Sequence, residues 1–261
     1  MNITYLVTSV CLFVAVTLTS SALAQDGKRD LYELRIYHIE SEAQEKMIDS
    51  YLKNAFLPAA HRHGIKEVGV FKPIASQPDA GKKVYVFIPY PNSKSYFSLP
   101  GKLAKDQAYQ SAGREYIQAA HDKAPYKRME VALMQAFTGA PRYKASGVTG
   151  PKKDRIYELR SYEAATERLY QQKVKMFNSG EIDIFDKLKF NPVFYAETLA
   201  GANMPNLMYM TTFENMEARN AGWDAFRVDP DWEAMKDLEE YRNTVSKNDT
   251  RLLYPTDYSD L

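Results

Sequence analysis

Apolar and polar side chains alternate one by one over residues 31–39, the period-two pattern of a strand whose two faces differ. The period then changes. Ser41 and Gln44 have the spacing of a capping box, and Met47, Ile48, Tyr51, Leu52, Ala55 and Phe56 recur at helical intervals. Pro58 is expected to kink the end of that helix, and Gly64 suits the left-handed position beyond it. Strands are predicted over 65–72 and 83–90 around a Pro- and Gly-bearing loop. A helical region follows over 92–121, broken near Pro100 and Gly101, and 126–137 reads as a closing strand.

The second half of the chain gives the same order. A strand over 155–162 precedes a helix over 166–189, interrupted at 178–180. Strands at 193–199 and 207–213 lead to a helix over 215–226. Asp229 then caps another helix, with Pro230 in its first turn and Trp232, Met235, Leu238 and Tyr241 on one face. Residues 251–254 form the last predicted strand.

Two landmarks support a duplication. Tyr32-Glu33-Leu34-Arg35-Ile36-Tyr37 recurs as Tyr157-Glu158-Leu159-Arg160-Ser161-Tyr162, with five of six positions the same. Downstream, Asp106 and Tyr109 are answered by Asp229 and Trp232. Segment 138–154, with two Pro and three Gly, reads as a linker between halves at 25–137 and 155–261. The predicted fold is therefore α+β: two tandem ferredoxin-like βαββαβ repeats packed as a barrel-like pair. Each sheet is expected to bury one face under its helices and the other against its twin.

Alternation divides the repeated motif between those faces. Tyr32, Leu34 and Ile36, with Tyr157 and Leu159, are assigned to the helix-covered core. Glu33, Arg35 and Tyr37, with Glu158, Arg160 and Tyr162, are assigned to the space between the sheets. Charges there must be paired, so one expectation is a Glu–Arg network that fixes register. The other is a pocket in which Arg35 or Arg160 meets an anionic group, Tyr37 or Tyr162 donates a hydrogen bond, and Glu33 or Glu158 serves as a base.

Composition narrows the function classes. Thirty-four basic and thirty-three acidic residues leave a net charge of +1. No charge excess drives binding to nucleic acid or an anionic membrane. Residues 1–24 contain no charged side chain, and Ala22-Leu23-Ala24 offers a small-x-small cleavage site before Gln25. The apolar run over 5–18 is short for a membrane span, which needs ~20 residues. Export to the periplasm or exterior, with cleavage after Ala24 and no stable membrane insertion afterwards, is expected; an uncleaved anchor is the alternative. The single cysteine, Cys11, lies in that segment, so a processed chain has no disulfide, no thiolate nucleophile and no Cys-based zinc site. His61 and His63 flank Arg62 at a helix end, where positive charge complements the helix dipole. His38 is assigned to the helix side. No metal site and no cofactor are predicted, and no phosphate loop or nucleophile-elbow motif is present.

The opening Tyr-Glu-Leu-Arg-x-Tyr strands resemble those of NIPSNAP domains, as does the segment over 201–206. The stretch 219–232, with Arg219, Trp223, Phe226, Asp229, Pro230 and Trp232, is similar to the same family. In the first half Tyr109 replaces the last tryptophan and Gln107 the proline. The resemblance implies the dimeric α/β-barrel superfamily and no defined reaction. The expected function is binding of a small ligand or protein partner between the sheets. The alternative is a cofactor-independent oxygenase, isomerase or lyase acting on a small aromatic or carbonyl compound. Exposed sheet edges would offer a route to a homodimer.

Overall fold

The computed structural model describes residues 29–261. The expected cleavage site at Ala24 and Cys11 lie outside the described residues. Among the described residues no helix is long and apolar enough to cross a membrane.

The first half contains β1 (Leu31–His38), α1 (Glu42–Tyr51), α2 (Leu57–Arg62), β2 (Gly69–Pro73), β3 (Lys83–Tyr90), α3 (Ser93–Lys105), α4 (Gln107–Ala112), α5 (Arg114–Ile117) and β4 (Arg128–Ala136). The second contains β5 (Ile156–Glu163), α6 (Glu167–Met176), α7 (Ile182–Lys187), β6 (Pro192–Ala200), β7 (Asn206–Phe213), α8 (Met216–Arg227), α9 (Pro230–Lys236) and β8 (Lys247–Pro255).

Local chemistry starts the helices where the sequence places them. Ser41 accepts a hydrogen bond from the Gln44 amide, and Thr166 does the same for Leu169. Asp106 and Asp229 cap α4 and α9, taking the amides of Tyr109 and Trp232, so the second sequence landmark is a pair of equivalent caps. Two details differ from expectation. A π-helical turn, Leu52–Phe56, separates α1 from α2, and Pro58 lies in the first turn of α2, where its missing N–H is harmless. Its counterpart Phe177–Glu181 joins α6 to α7 at the interruption expected near Gly180. The intervals from Tyr32 to Tyr157 and from Leu52 to Phe177 are identical. Helix α3 also runs through Pro100 and stops only at Asp106, where the next cap begins.

The strands form one closed antiparallel barrel in the order β1-β3-β2-β8-β5-β7-β6-β4. Strand β2 joins β8 through Phe71 opposite Pro255, and β4 joins β6 through Gln135 opposite Glu197. The two halves therefore meet edge to edge within one sheet. Closure leaves no sheet edge among the described residues for a second copy to extend.

Three cores result. Tyr32, Leu34, Phe71, Phe87, Met134, Leu159, Phe194, Met210 and Leu253 fill the barrel, with Phe87 and Phe194 stacked at 4.7 Å. The first-half helices pack outside it on Tyr37, Val84, Val86 and Ile88. The second-half helices pack on Tyr195, Leu207, Tyr209 and Phe213. The segment between the halves also packs: Tyr143 enters the barrel core and its amide donates to Asp30 at 2.7 Å.

The assignment of strand faces is thereby reversed. Tyr32, Leu34 and Tyr157 point into the barrel, and Glu33, Arg35, Tyr37, Glu158, Arg160 and Tyr162 lie under the helices. His38 shares the inward parity of Ile36 and sits 2.6 Å from Glu130. Both faces of these strands are buried, so alternation separates them without saying which is inside. Over its middle, where these residues lie, an eight-stranded barrel is filled by side chains and has no water for charged groups. At the helix–sheet seam, by contrast, Arg35 and Arg160 keep 18% and 14% of their side chains exposed. Charge belongs at the seam.

Candidate functional site

The repeated Glu–Arg pair is built twice and closed differently in each half. In the second, Glu158 is completely buried and receives Arg160 Nε at 2.6 Å, Arg219 Nε at 2.7 Å and Trp223 Nε1 at 2.8 Å. Arg219 and Trp223 lie one turn apart on α8, so a single helix face delivers both. The Arg160 guanidinium lies 3.8 Å from the centre of the indole ring, and its Nη1 donates to Tyr162, whose hydroxyl is 2.8 Å from that of Tyr209. Every group has a partner, and Trp223 fills the remaining volume. This seam is sealed.

Burial alone would raise the Glu158 pKa, but the Arg219 hydrogen bonds, the Arg160 charge and the Trp223 N–H outweigh it and hold the carboxyl below its ordinary value. A depressed carboxylate contributes stability that is complete above the ordinary value of 4.5 and is lost as pH falls through the folded-state value. Urea midpoints should therefore decline as pH drops below about 4.5, and Glu158→Gln should flatten that decline.

In the first half Arg35 Nε donates to Glu33 at 2.5 Å and the Tyr90 hydroxyl donates to Glu33 at 2.8 Å. Burial works against the Arg35 charge, but Glu33 outweighs it and holds the guanidinium well above its ordinary pKa. Helix α3 begins at the Asn92 cap as α8 begins at the Asn215 cap. Counting from those caps, Tyr96 stands where α8 has Arg219, and Pro100 where it has Trp223. Two consequences follow. Glu33 has one arginine instead of two, and no indole stands at the position of Pro100.

Pro100 instead borders an open pocket of about 580 Å³ lined by Glu33, Arg35, Tyr51, Tyr90, Tyr96 and Tyr109, among others. Its walls are aromatic and its polar groups converge. Arg35 rests on Phe56, 4.9 Å from the ring centre, and the Tyr51 and Tyr109 hydroxyls are 2.8 Å apart. Phe97 stands 73% exposed at the rim. Desolvation pushes the hydroxyls of Tyr51, Tyr90, Tyr96 and Tyr109 up from their ordinary pKa, so they stay protonated donors near neutral pH.

Of the six residues singled out from sequence, Glu33 and Arg35 border this pocket. Tyr37 lies beneath it, packed edge-on against Tyr116, which stacks on Tyr51 at 3.7 Å. Glu158, Arg160 and Tyr162 lie in the sealed seam. Tyr90, Tyr96 and Pro100 were not singled out. Their signal lay in aligning the two Asn caps, which sets Pro100 against Trp223. His61 and His63 do not converge: His61 faces Asp260 at 2.8 Å and His63 faces Asp106 at 3.1 Å. No group of three or more metal-ligating side chains occurs among the described residues.

The family model for NIPSNAP matches residues 157–260, from the first tyrosine of β5 to the end of β8 and beyond. Residues 157–260 are a NIPSNAP domain. Its two motif stretches, Tyr-Glu-Leu-Arg and Arg…Trp, are the two sides of the Glu158 network. The open pocket lies in the half outside that match. Among solved structures, a candidate monooxygenase from Lactobacillus acidophilus NCFM is similar, with a TM-score of 0.57 and 11% identity over 87% of this chain and 94% of that one. A candidate monooxygenase from Fusobacterium nucleatum subsp. nucleatum ATCC 25586 has a TM-score of 0.56 and 8% identity over 87% and 93%. An anthrone oxidase-like protein has a TM-score of 0.51 and 10% identity over 87% and 92%. At these identities the likeness is one of fold. No curated protein matches the NIPSNAP-containing chain.

Proposed function

We propose that this chain binds a small, flat aromatic or carbonyl compound bearing an anionic oxygen, in the pocket of its first half. The observation that carries this reading is the pair of equivalent seams. Where the NIPSNAP domain fills its seam with Trp223 and Arg219, the first half has Pro100 and Tyr96 and leaves about 580 Å³ open beside a buried guanidinium. Arg35 meets the anionic oxygen, and the Tyr51, Tyr90, Tyr96 and Tyr109 rings provide a wall suited to a planar body.

The two halves are read as tandem copies of one ferredoxin-like unit. Support comes from their shared β-α-β-β-α-β order, the repeated motif and the matched π-helical turns. Export is inferred from the uncharged residues 1–24 and their small-x-small end. One experiment addresses ligand and export together. Native mass spectrometry of the chain purified from its own host should show a polypeptide beginning at Gln25 with a small-molecule adduct that is released on denaturation. A polypeptide beginning at Met1 would overturn export, and recovery free of any adduct from every host fraction would overturn the binding reading.

A second reading, a cofactor-independent oxygenase, isomerase or lyase, draws support from the Glu33 carboxylate at the same wall. Both its oxygens are already engaged by Arg35 and Tyr90. Proton abstraction would require one of these donors to turn to the substrate first. Turnover of the bound compound in air by the purified chain, abolished in Glu33→Gln, would separate enzyme from carrier.

A further inference from the structure

The inward-facing row of the barrel is apolar along most of its length and changes character at one end. The opposite end is closed: Tyr143 and the C-terminal Leu261 pack into the barrel core there, and Arg142 Nη1 bonds to Asp30 at 2.6 Å. At the open end the alternation that places Tyr85, Ala132, Leu159 and Leu253 inside continues into charged residues. They surround a cavity of about 320 Å³ whose floor is Leu34, Ile36, Ala132, Leu159 and Met208. Both halves supply its walls.

Its rim holds three cations, Lys83, Lys247 and Arg251, and three carboxylates, Glu130, Glu163 and Asp249. Lys83, Arg251 and Glu163 are mostly shielded from water above this apolar floor and lose part of their hydration, while Lys247, Glu130 and Asp249 stay in contact with solvent. Four of them pair among themselves: Arg251 Nη2 with Asp249 at 2.8 Å and Lys247 with Glu163 at 2.9 Å. Lys83 and Glu130 remain outside those pairs. The Lys83 ammonium comes no closer than 3.8 Å to Asp79, and Glu130 faces the His38 ring at 2.6 Å. Asp79 accepts from the Tyr85 hydroxyl through Oδ2, while its buried Oδ1 has no hydrogen-bond partner.

We propose that this mouth is a second binding site, for a small zwitterion with an apolar side group, the chemistry of a free α-amino acid. Its carboxylate pairs with Lys83, its ammonium with Glu130, and its side group covers the apolar floor. The mixed charge of the mouth selects this class. With Asp79, 3.8 Å from both Lys83 and Arg251, three cations face four carboxylates, so a ligand of one charge sign meets repulsion as well as attraction, whereas a zwitterion can pair with both. The cavity lies inside the barrel, separate from the Arg35 pocket under the helices, so the two sites are independent.

The test is isothermal titration of the full chain with L-phenylalanine, L-leucine and L-methionine, against the one-charge analogues 3-phenylpropanoate and 2-phenylethylamine. At least one amino acid should give saturable binding, with the phenylalanine analogues at least tenfold weaker than phenylalanine. Lys83→Met and Glu130→Gln, both at positions that keep solvent contact, should each weaken amino-acid binding at least tenfold while circular dichroism stays unchanged. Pro100→Trp, which fills the other pocket, should leave it unaltered. The proposal fails if none of the three amino acids binds, or if either analogue binds as tightly as phenylalanine. It also fails if binding survives Lys83→Met or Glu130→Gln undiminished, or disappears in Pro100→Trp.

Discussion

Replacing Glu158 with alanine should lower the unfolding free energy by about 3–5 kcal/mol, the range for removing one partner from a buried ionic network. Arg160, Arg219 and the Trp223 N–H all converge on that carboxylate, which is wholly buried. Its loss leaves two guanidinium groups facing each other with no counter-ion. Glu33→Ala should cost less, because only Arg35 and Tyr90 lose their acceptor and the open pocket admits water to replace it. Urea denaturation of the two variants side by side measures the difference. Equal losses would mean that the two seams do not differ in how tightly they are closed.

Pro100→Trp should abolish ligand binding in the first-half pocket and also stabilise the chain. Within α3 a proline removes one helical hydrogen bond, a defect of about 3 kcal/mol in a helix interior. Tryptophan restores the N–H and lays an indole beside Arg35, the arrangement that Trp223 makes with Arg160. A gain of about 1–3 kcal/mol is expected, allowing for side-chain ordering. Adduct loss in native mass spectrometry, together with a higher urea midpoint, is the combined signature. A destabilised variant that keeps its adduct would show that the pocket is not the volume vacated by the missing indole.

The proline inside α3 therefore bears on both proposals for the first half. A residue unfavourable to its own helix stands where a larger side chain would narrow a cavity. Local cost and an open site coincide at one position, as expected when function and packing compete.

The element order was legible because hydrophobic period, caps and turn residues are local properties. Strand β3 falls at the predicted bounds and the Asp229 cap stands where it was expected, while Asp106, read from sequence only as its echo, turns out to cap α4 in the same way. The break expected at Pro100 was misplaced, because packing of Leu99 and Leu103 carries α3 across it. The Glu–Arg pairing itself was also readable, since residues two apart on a strand share a face.

By itself, the sequence determined the recurring Tyr-Glu-Leu-Arg motif, the elements, and which side chains travel together on each strand. Tertiary structure alone decided which face became the barrel interior. A strand buried on both sides carries no local mark of inside, and the choice rests on where the helices bring partners. It also decided that the two halves close into one barrel through β2–β8 and β4–β6, since edge pairing depends on segments distant along the chain. Finally, it separated a sealed seam from an open one, because an empty volume is a property of neighbours in space and no single residue encodes it.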